Sequence, residues 1–134
     1  MKGVYILIIS VDKNIQLKTG ALGKINFEQG VYAYVGSAQN NLEKRIARHR
    51  SKSKNKFWHI DYLLDGRSAR IVKVFYKKSG KSEECKIAHE LAKTQIPTPD
   101  FGCSDCGCKS HLFKIKDENT LNSEIKKIYF KLLL

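Results

Sequence analysis

Residues 31–49, VYAYVGSAQNNLEKRIARH, change character halfway. The opening VYAYV is β-branched and aromatic and reads as a strand. Gly36 and Ser37 end that run. Asn40 and Asn41 are residue types that cap a helix, and Leu42 and Ile46 recur at helical spacing, giving a helix to about Arg50. A strand, a glycine turn and a helix start present unpaired backbone N–H groups, which suit a phosphate. Arg45 and His49 stand four apart and share a helix face, while Tyr34 lies at the strand end nearest the turn. A phenol, a guanidinium and an imidazole can thus converge. The competing reading is a basic surface helix after an ordinary strand.

The rest of the chain supplies a mixed α+β frame. Residues 4–11 are nearly all apolar and rich in Ile and Val, as a central strand buried on both faces requires. Residues 12–29, with Gly20, Gly23 and Gly30 around short apolar pieces, read as a small hairpin. FWHIDYLL at 57–64 puts Phe57, Ile60 and Leu64 on one face of a short helix that Asp65-Gly66 ends. Residues 71–76 read as a third strand. Ser82 caps a further helix, with Glu83 and Glu84 in its first turn and Ile87, Ala88 and Leu91 on its core face. Pro97 and Pro99 close it. A cysteine-rich loop, residues 103–111, precedes a short strand at 112–115. Leu121, Ile125, Ile128, Tyr129 and Leu132 mark an amphipathic C-terminal helix over 119–134. Without internal repeat or linker, residues 1–134 form one domain.

Charge narrows the partner. Lys and Arg number 25 against 13 Asp and Glu, a formal net charge of +12, which points to a polyanion, most often nucleic acid. The excess is concentrated. Lys44, Arg45, Arg48, Arg50, Lys52, Lys54 and Lys56 occur with no acidic residue from 44 to 56, and such like charges repel unless a polyanion is near. The alternative is a solvated loop. No apolar run is long enough to span a membrane. The opening MKGVYILIISVD is basic then apolar, like a short leader, but lacks a small-residue cleavage site and is broken by Asp12 and Lys13. It reads as a buried strand, and the expected compartment is the cytoplasm. Three of the four cysteines lie between Cys103 and Cys108, and in a reducing compartment that clustering favours metal over disulfide. Cys106-x-Cys108 followed by His111 resembles half of a zinc site. Cys85, Cys103 and His89 are candidate fourth ligands, with Cys85 preferred. Free buried thiols or a redox pair are the competing readings.

Phosphodiester hydrolysis needs a proton acceptor for the attacking water, a cation on the phosphate and usually a carboxylate-held metal. Tyr5, Tyr34, Arg45, His49, His59 and a glutamate of the Ser82 helix offer each role. The ordered set GVYIL, YAYVGSA, LEKRIARH, FWHIDYLL, Glu84-Cys85 and FGCSDCGCKSHLF, running from Gly3 to Phe113, resembles the GIY-YIG nuclease superfamily. Within it the chain is similar to the small Uri-type, DUF123-like branch, with Val for Ile in both name triplets. The resemblance implies a central three-stranded antiparallel sheet flanked by helices. It also implies an endonuclease that uses Mg²⁺ or Mn²⁺ on nucleic acid, with DNA favoured. Tyr5 and Tyr34 match the motif tyrosines, Arg45 the motif arginine, and His49 and His59 the accessory positions. Glu84 matches the metal-binding acid of this branch, with Glu90 in reserve. Two other classes compete: a non-catalytic nucleic-acid-binding module with a structural zinc, and a thiol or zinc redox sensor.

Overall fold

Strict alternation along the first strand divides the molecule into two cores. The computed structural model describes residues 1–51, 55–103, 106–128 and 130–133. Strand β1 (Gly3–Val11) pairs antiparallel with β4 (Gly30–Ala38) on one side and β5 (Ala69–Lys77) on the other. Successive side chains of a strand point to opposite faces. Tyr5, Leu7, Ile9 and Val11 therefore enter one core with Tyr32 and Tyr34, and Val4, Ile6 and Ile8 enter the other with Ala33 and Val35.

Helices cover both faces. The first core is closed by α1 (Leu42–Arg50) through Leu42 and Ile46, and by α2 (His59–Asp65) through Ile60, Leu63 and Leu64. A separate hairpin, β2 (Ile15–Lys18) with β3 (Lys24–Phe27), packs there too, as the glycine-punctuated segment predicts. The second core is closed by α3 (Ser82–Thr94) through Ile87, Ala88 and Leu91, and by α4 (Glu118–Lys127) through Leu121 and Ile125. Each fully buried Leu or Ile contributes about 2 kcal/mol of transfer free energy.

The sheet is larger than expected. It has six strands rather than three, in the order β6-β7-β4-β1-β5-β8. The additions are β6 (Ile96–Pro97), β7 (Leu112–Lys114) and β8 (Lys131–Leu132), two or three residues each. Pieces that short carry no alternation to read, and their pairing depends on a partner edge far away in the chain. Pro97, expected only to stop a helix, sits opposite Phe113. An edge position suits a residue without an N–H.

Four boundaries also differ from expectation. The second strand does not stop at Gly36 but runs through Ser37 to Ala38. Lys81, not Ser82, is the N-cap of α3, while Glu83 and Glu84 do occupy its first turn. The C-terminal helix ends at Lys127 instead of continuing to 134, and Leu132 is exposed in β8. The chain turns there to cover the β5 edge, where the Leu133 N–H donates to the Val74 carbonyl at 2.8 Å. Tyr129, expected on the helix face, lies outside the described residues, as do Lys52 and Lys54 of the basic stretch. Finally, Phe57 is 79% exposed rather than core-facing, because α2 begins two residues later.

Asp61 sets that late start. Its side chain is fully buried, its Oδ2 accepts from the Phe57 and Trp58 N–H groups at 2.8 and 2.9 Å, and both oxygens accept from Arg48 at 2.9 and 3.0 Å. Burial pushes the carboxyl pKa up, and the Arg48 and backbone hydrogen bonds more than offset it, leaving it below the usual value. A depressed folded pKa contributes stability that is present above the unfolded value and lost as pH falls through the folded one. Asp61→Ala should therefore destabilise the fold by about 3 kcal/mol, the lower end for breaking a buried pair because Arg48 is partly exposed. Urea unfolding at neutral pH measures this, and the difference from wild type should shrink as pH drops below about 4.

Candidate active site

The start of β1, the end of β4 and the N-termini of α1, α2 and α3 meet around a cleft of about 780 Å³. Tyr5, Tyr34, Arg45, His59 and Glu84 all line it, together with Lys44 and Arg48. The strand–turn–helix segment thus brings its phenol and guanidinium together as its spacing predicts. Asn41 caps α1 by accepting from the Lys44 N–H at 2.9 Å.

Tyr5 is held by its cross-strand neighbour. It lies directly opposite Gly36, and a Cβ on Gly36 would sit 2.4 Å from both Cζ and the hydroxyl oxygen of Tyr5. The glycine is there because the tyrosine ring crosses its backbone, not because the strand stops. The ring's hydroxyl reaches His49 Nε2 at 2.6 Å. Burial pushes the Tyr5 phenol well above its ordinary pKa, and Arg45 pulls it only partly back, so at neutral pH the phenol keeps its proton within this hydrogen bond. His49 is itself buried, packed among the rings of Tyr5, Tyr34 and Trp58. It backs Tyr5 rather than lining the cleft. Tyr34 is likewise raised, by burial first and then by Tyr5 and Glu84.

Arg45 is half-buried. It donates to the Ser37 carbonyl at 3.0 Å, and its guanidinium lies 4.4 Å from the centre of the Trp58 ring. Arg48 lies at the same distance from that ring, so two cations share one indole. His59 accepts at Nδ1 from the Gly102 N–H at 2.9 Å, and burial lowers its pKa. The ring is then neutral with its proton on Nε2. Of the remaining basic candidates, Arg50 is exposed, and Lys56 is exposed and paired with Asp65 at 3.4 Å.

Glu84 is the one carboxylate lining the cleft among the described residues. Glu90 is exposed on α3 and paired with Lys93 at 3.0 Å. The structure thus places Glu84, not Glu90, in the cleft. Behind Glu84 stand Cys85, Cys106, Cys108 and His111, whose ligand atoms all lie within 4.8 Å of one another and could hold a metal ion. Cys85 is thereby the fourth member. Cys103 donates instead to the Phe101 carbonyl, and its thiol is pushed up to about 12, by burial first and then by Cys106. His89 is exposed and outside the group. Burial raises the Cys106 thiol, but hydrogen bonds from the Cys108 backbone and His111 more than offset this and lower it. Nδ1 of His111 lies 3.1 Å from Glu84 Oε1 and 3.2 Å from the Val35 carbonyl, and its Nε2 is 3.3 Å from Cys106 Sγ. Three thiols and one imidazole are soft to borderline donors, and tetrahedral coordination with bonds of about 2.3 Å to sulfur has edges near 3.8 Å. The group, with ligand atoms within 4.8 Å of one another, is close to that size.

Three parts of this site have no counterpart in the sequence reading. Trp58 packs as a plate beneath two arginines, Lys81 lines the cleft, and Gly102 fixes His59. Nothing in local periodicity marks any of them. The glycine beside Tyr34 was the one visible signal of close packing, and it reads equally well as a turn.

A family model described as "Domain of unknown function DUF123" matches residues 4–134. No curated protein and no solved structure matches the chain.

The Tyr5–Gly36 contact makes a sharp prediction. Gly36→Ala forces the Tyr5 ring off its seat and breaks the bond to His49. It should cost about 1–3 kcal/mol of stability. The Tyr5 hydroxyl proton should exchange slowly in wild type and fast in the variant, as read from their NMR spectra. Unchanged exchange together with unchanged stability would show that the ring does not depend on this glycine.

Proposed function

This chain belongs to the DUF123 family, and we propose that it is a metal-dependent endonuclease hydrolysing phosphodiester bonds in nucleic acid. One observation carries the reading: among the described residues a single carboxylate, Glu84, lines the same cleft as Lys44, Arg45, Arg48, Lys81 and a tyrosine hydrogen-bonded to a buried histidine. On the wall of a cleft that only binds nucleic acid, a carboxylate repels phosphate unless a cation intervenes, so its place there favours the catalytic reading.

The residues divide the chemistry. Lys44 at the cleft and exposed Arg50 in the last turn of α1 hold the phosphate backbone without reading bases. Lys52, Lys54 and Lys56 continue the same stretch of sequence. Arg45, preorganised by Ser37 and Trp58, stabilises charge on the reacting phosphate. Tyr5 stays protonated at rest, so it accepts a proton from the attacking water only by passing its own to His49 Nε2. The two transfers are coupled along the 2.6 Å bond. His59, neutral with its proton on Nε2, donates to a phosphate oxygen. Glu84 supplies a hard oxygen donor, fit for Mg²⁺ or Mn²⁺ with water and phosphate oxygens in the other positions. When bound, such an ion supplies Lewis-acid neutralisation of the phosphate.

Purified protein incubated with labelled single-stranded, duplex and branched DNA and RNA should cleave at least one substrate only with Mg²⁺ or Mn²⁺. Arg45→Ala should lower turnover by about a hundredfold or more. Glu84→Gln should abolish metal-dependent cleavage and leave binding intact. Tyr5→Phe keeps the ring and deletes the hydroxyl, so activity should collapse while the fold is retained, with stability lowered only by about 1–3 kcal/mol for the lost His49 hydrogen bond. Full activity in both Tyr5→Phe and Glu84→Gln would refute these assignments.

The second metal centre is structural zinc on Cys85, Cys106, Cys108 and His111, joining the loop to the first turn of α3. Protein purified without chelator should contain one zinc per chain, and its removal should lower the melting temperature. A metal-free protein whose melting temperature does not respond to added zinc would exclude it.

A further inference from the structure

The imidazole of His111 faces two ways. Its Nε2 points into the thiol group, 3.3 Å from Cys106 Sγ, and its Nδ1 points at Glu84 Oε1, 3.1 Å away. The ring is almost fully buried, and it is wedged by Gly102, where a Cβ would come within 3.1 Å of the His111 Cβ. Glu84 is also the chain neighbour of Cys85, in the first turn of α3. The acid of the cleft is therefore gripped twice by one cluster, through its backbone and through its side chain.

We propose that His111 is a positioning residue that couples the zinc centre to the cleft: with Nε2 on zinc, its Nδ1–H fixes the Glu84 carboxylate in place. A metal-bound imidazole must carry its remaining proton on the other nitrogen. That proton has two acceptors here, the Val35 carbonyl at 3.2 Å and Glu84 at 3.1 Å. A carboxylate on the far nitrogen of a ligating histidine raises its basicity and fixes its tautomer, and losing such a partner typically lowers metal affinity 10–100-fold. Coupling of this kind is reciprocal, so whatever Glu84 contributes to zinc affinity, zinc returns to the placement of Glu84. One oxygen of the carboxylate is committed to the ring, which leaves the other for the cleft. The inference rests on the nuclease reading only for what the cleft side of Glu84 does.

The test therefore needs neither nucleic acid nor activity. Zinc alone is competed against a chromophoric chelator in the intact protein. Glu84→Ala should weaken zinc binding tenfold or more. Glu84→Gln, whose amide oxygen still accepts from Nδ1–H, should fall between it and wild type, and Glu90→Ala should match wild type. Cobalt substituted for zinc should show a shifted visible spectrum in Glu84→Ala, because the imidazole loses its orienting partner. That shift would separate loss of orientation from general loosening of the loop. Equal zinc affinity in wild type and Glu84→Ala overturns the coupling, and so does a wild-type protein that binds no zinc. If zinc affinity falls as described and no substrate is cleaved, the coupling stands and the nuclease reading fails. If cleavage needs Glu84 while zinc affinity ignores it, the reverse holds.

Discussion

A tyrosine ring lying across a glycine backbone is the contact on which the cleft depends. Tyr5 and Gly36 are direct partners in the β1–β4 ladder, and the absent side chain leaves the space that the ring fills. From there the hydroxyl meets His49, whose own ring is boxed by Tyr34 and Trp58. Trp58 in turn supports the guanidinium groups of Arg45 and Arg48. The charged residues of the cleft are thus seated on a layer of packed rings that belongs to the first hydrophobic core. Their geometry is set by the same close packing that stabilises the fold.

What the sequence disclosed follows the range of the underlying forces. The three long strands, the four helices and the hairpin leave apolar periodicity or turn chemistry in consecutive residues, so they could be read. The short edge strands leave little: residues 112–115 read as a strand without a place in the sheet, whereas 96–97 and 131–132 did not read as strands at all. The same distinction runs through the site. Arg45 is placed by its position on a helix that could be predicted, whereas Trp58 and Gly102 act through contacts with residues distant in the chain. The choice of Glu84 over Glu90 was a matter of register along α3, which periodicity could not decide. In the fold the turn that bears Glu84 is the one that reaches the cleft. Cys85 was one of three candidates for the same reason, and packing selects it.

Arg48 illustrates how one residue type divides between roles. In the sequence it belongs to a run of cations suited to phosphate. In the fold its guanidinium makes a bidentate bond with buried Asp61 and also donates to the Asn55 carbonyl. It joins α1 to the start of α2 while still bordering the cleft. A basic cluster is therefore not uniform in function, and charge density alone overstates how many of its members are available to a polyanion.

The central position of β1 has a consequence for how the protein is made. Translation makes β1 before either of its partners: β4 ends at Ala38, and β5 only at Lys77. Glu84 and the cluster behind it, which reaches His111, come later still. Until residue 77 has been synthesised, an apolar run offers at least one unpaired edge to any neighbouring chain. A nascent fragment already carries the tyrosines and the arginine but has no carboxylate beside them. The order of translation thus leaves the cleft incomplete until most of the sheet that shields that edge has been made.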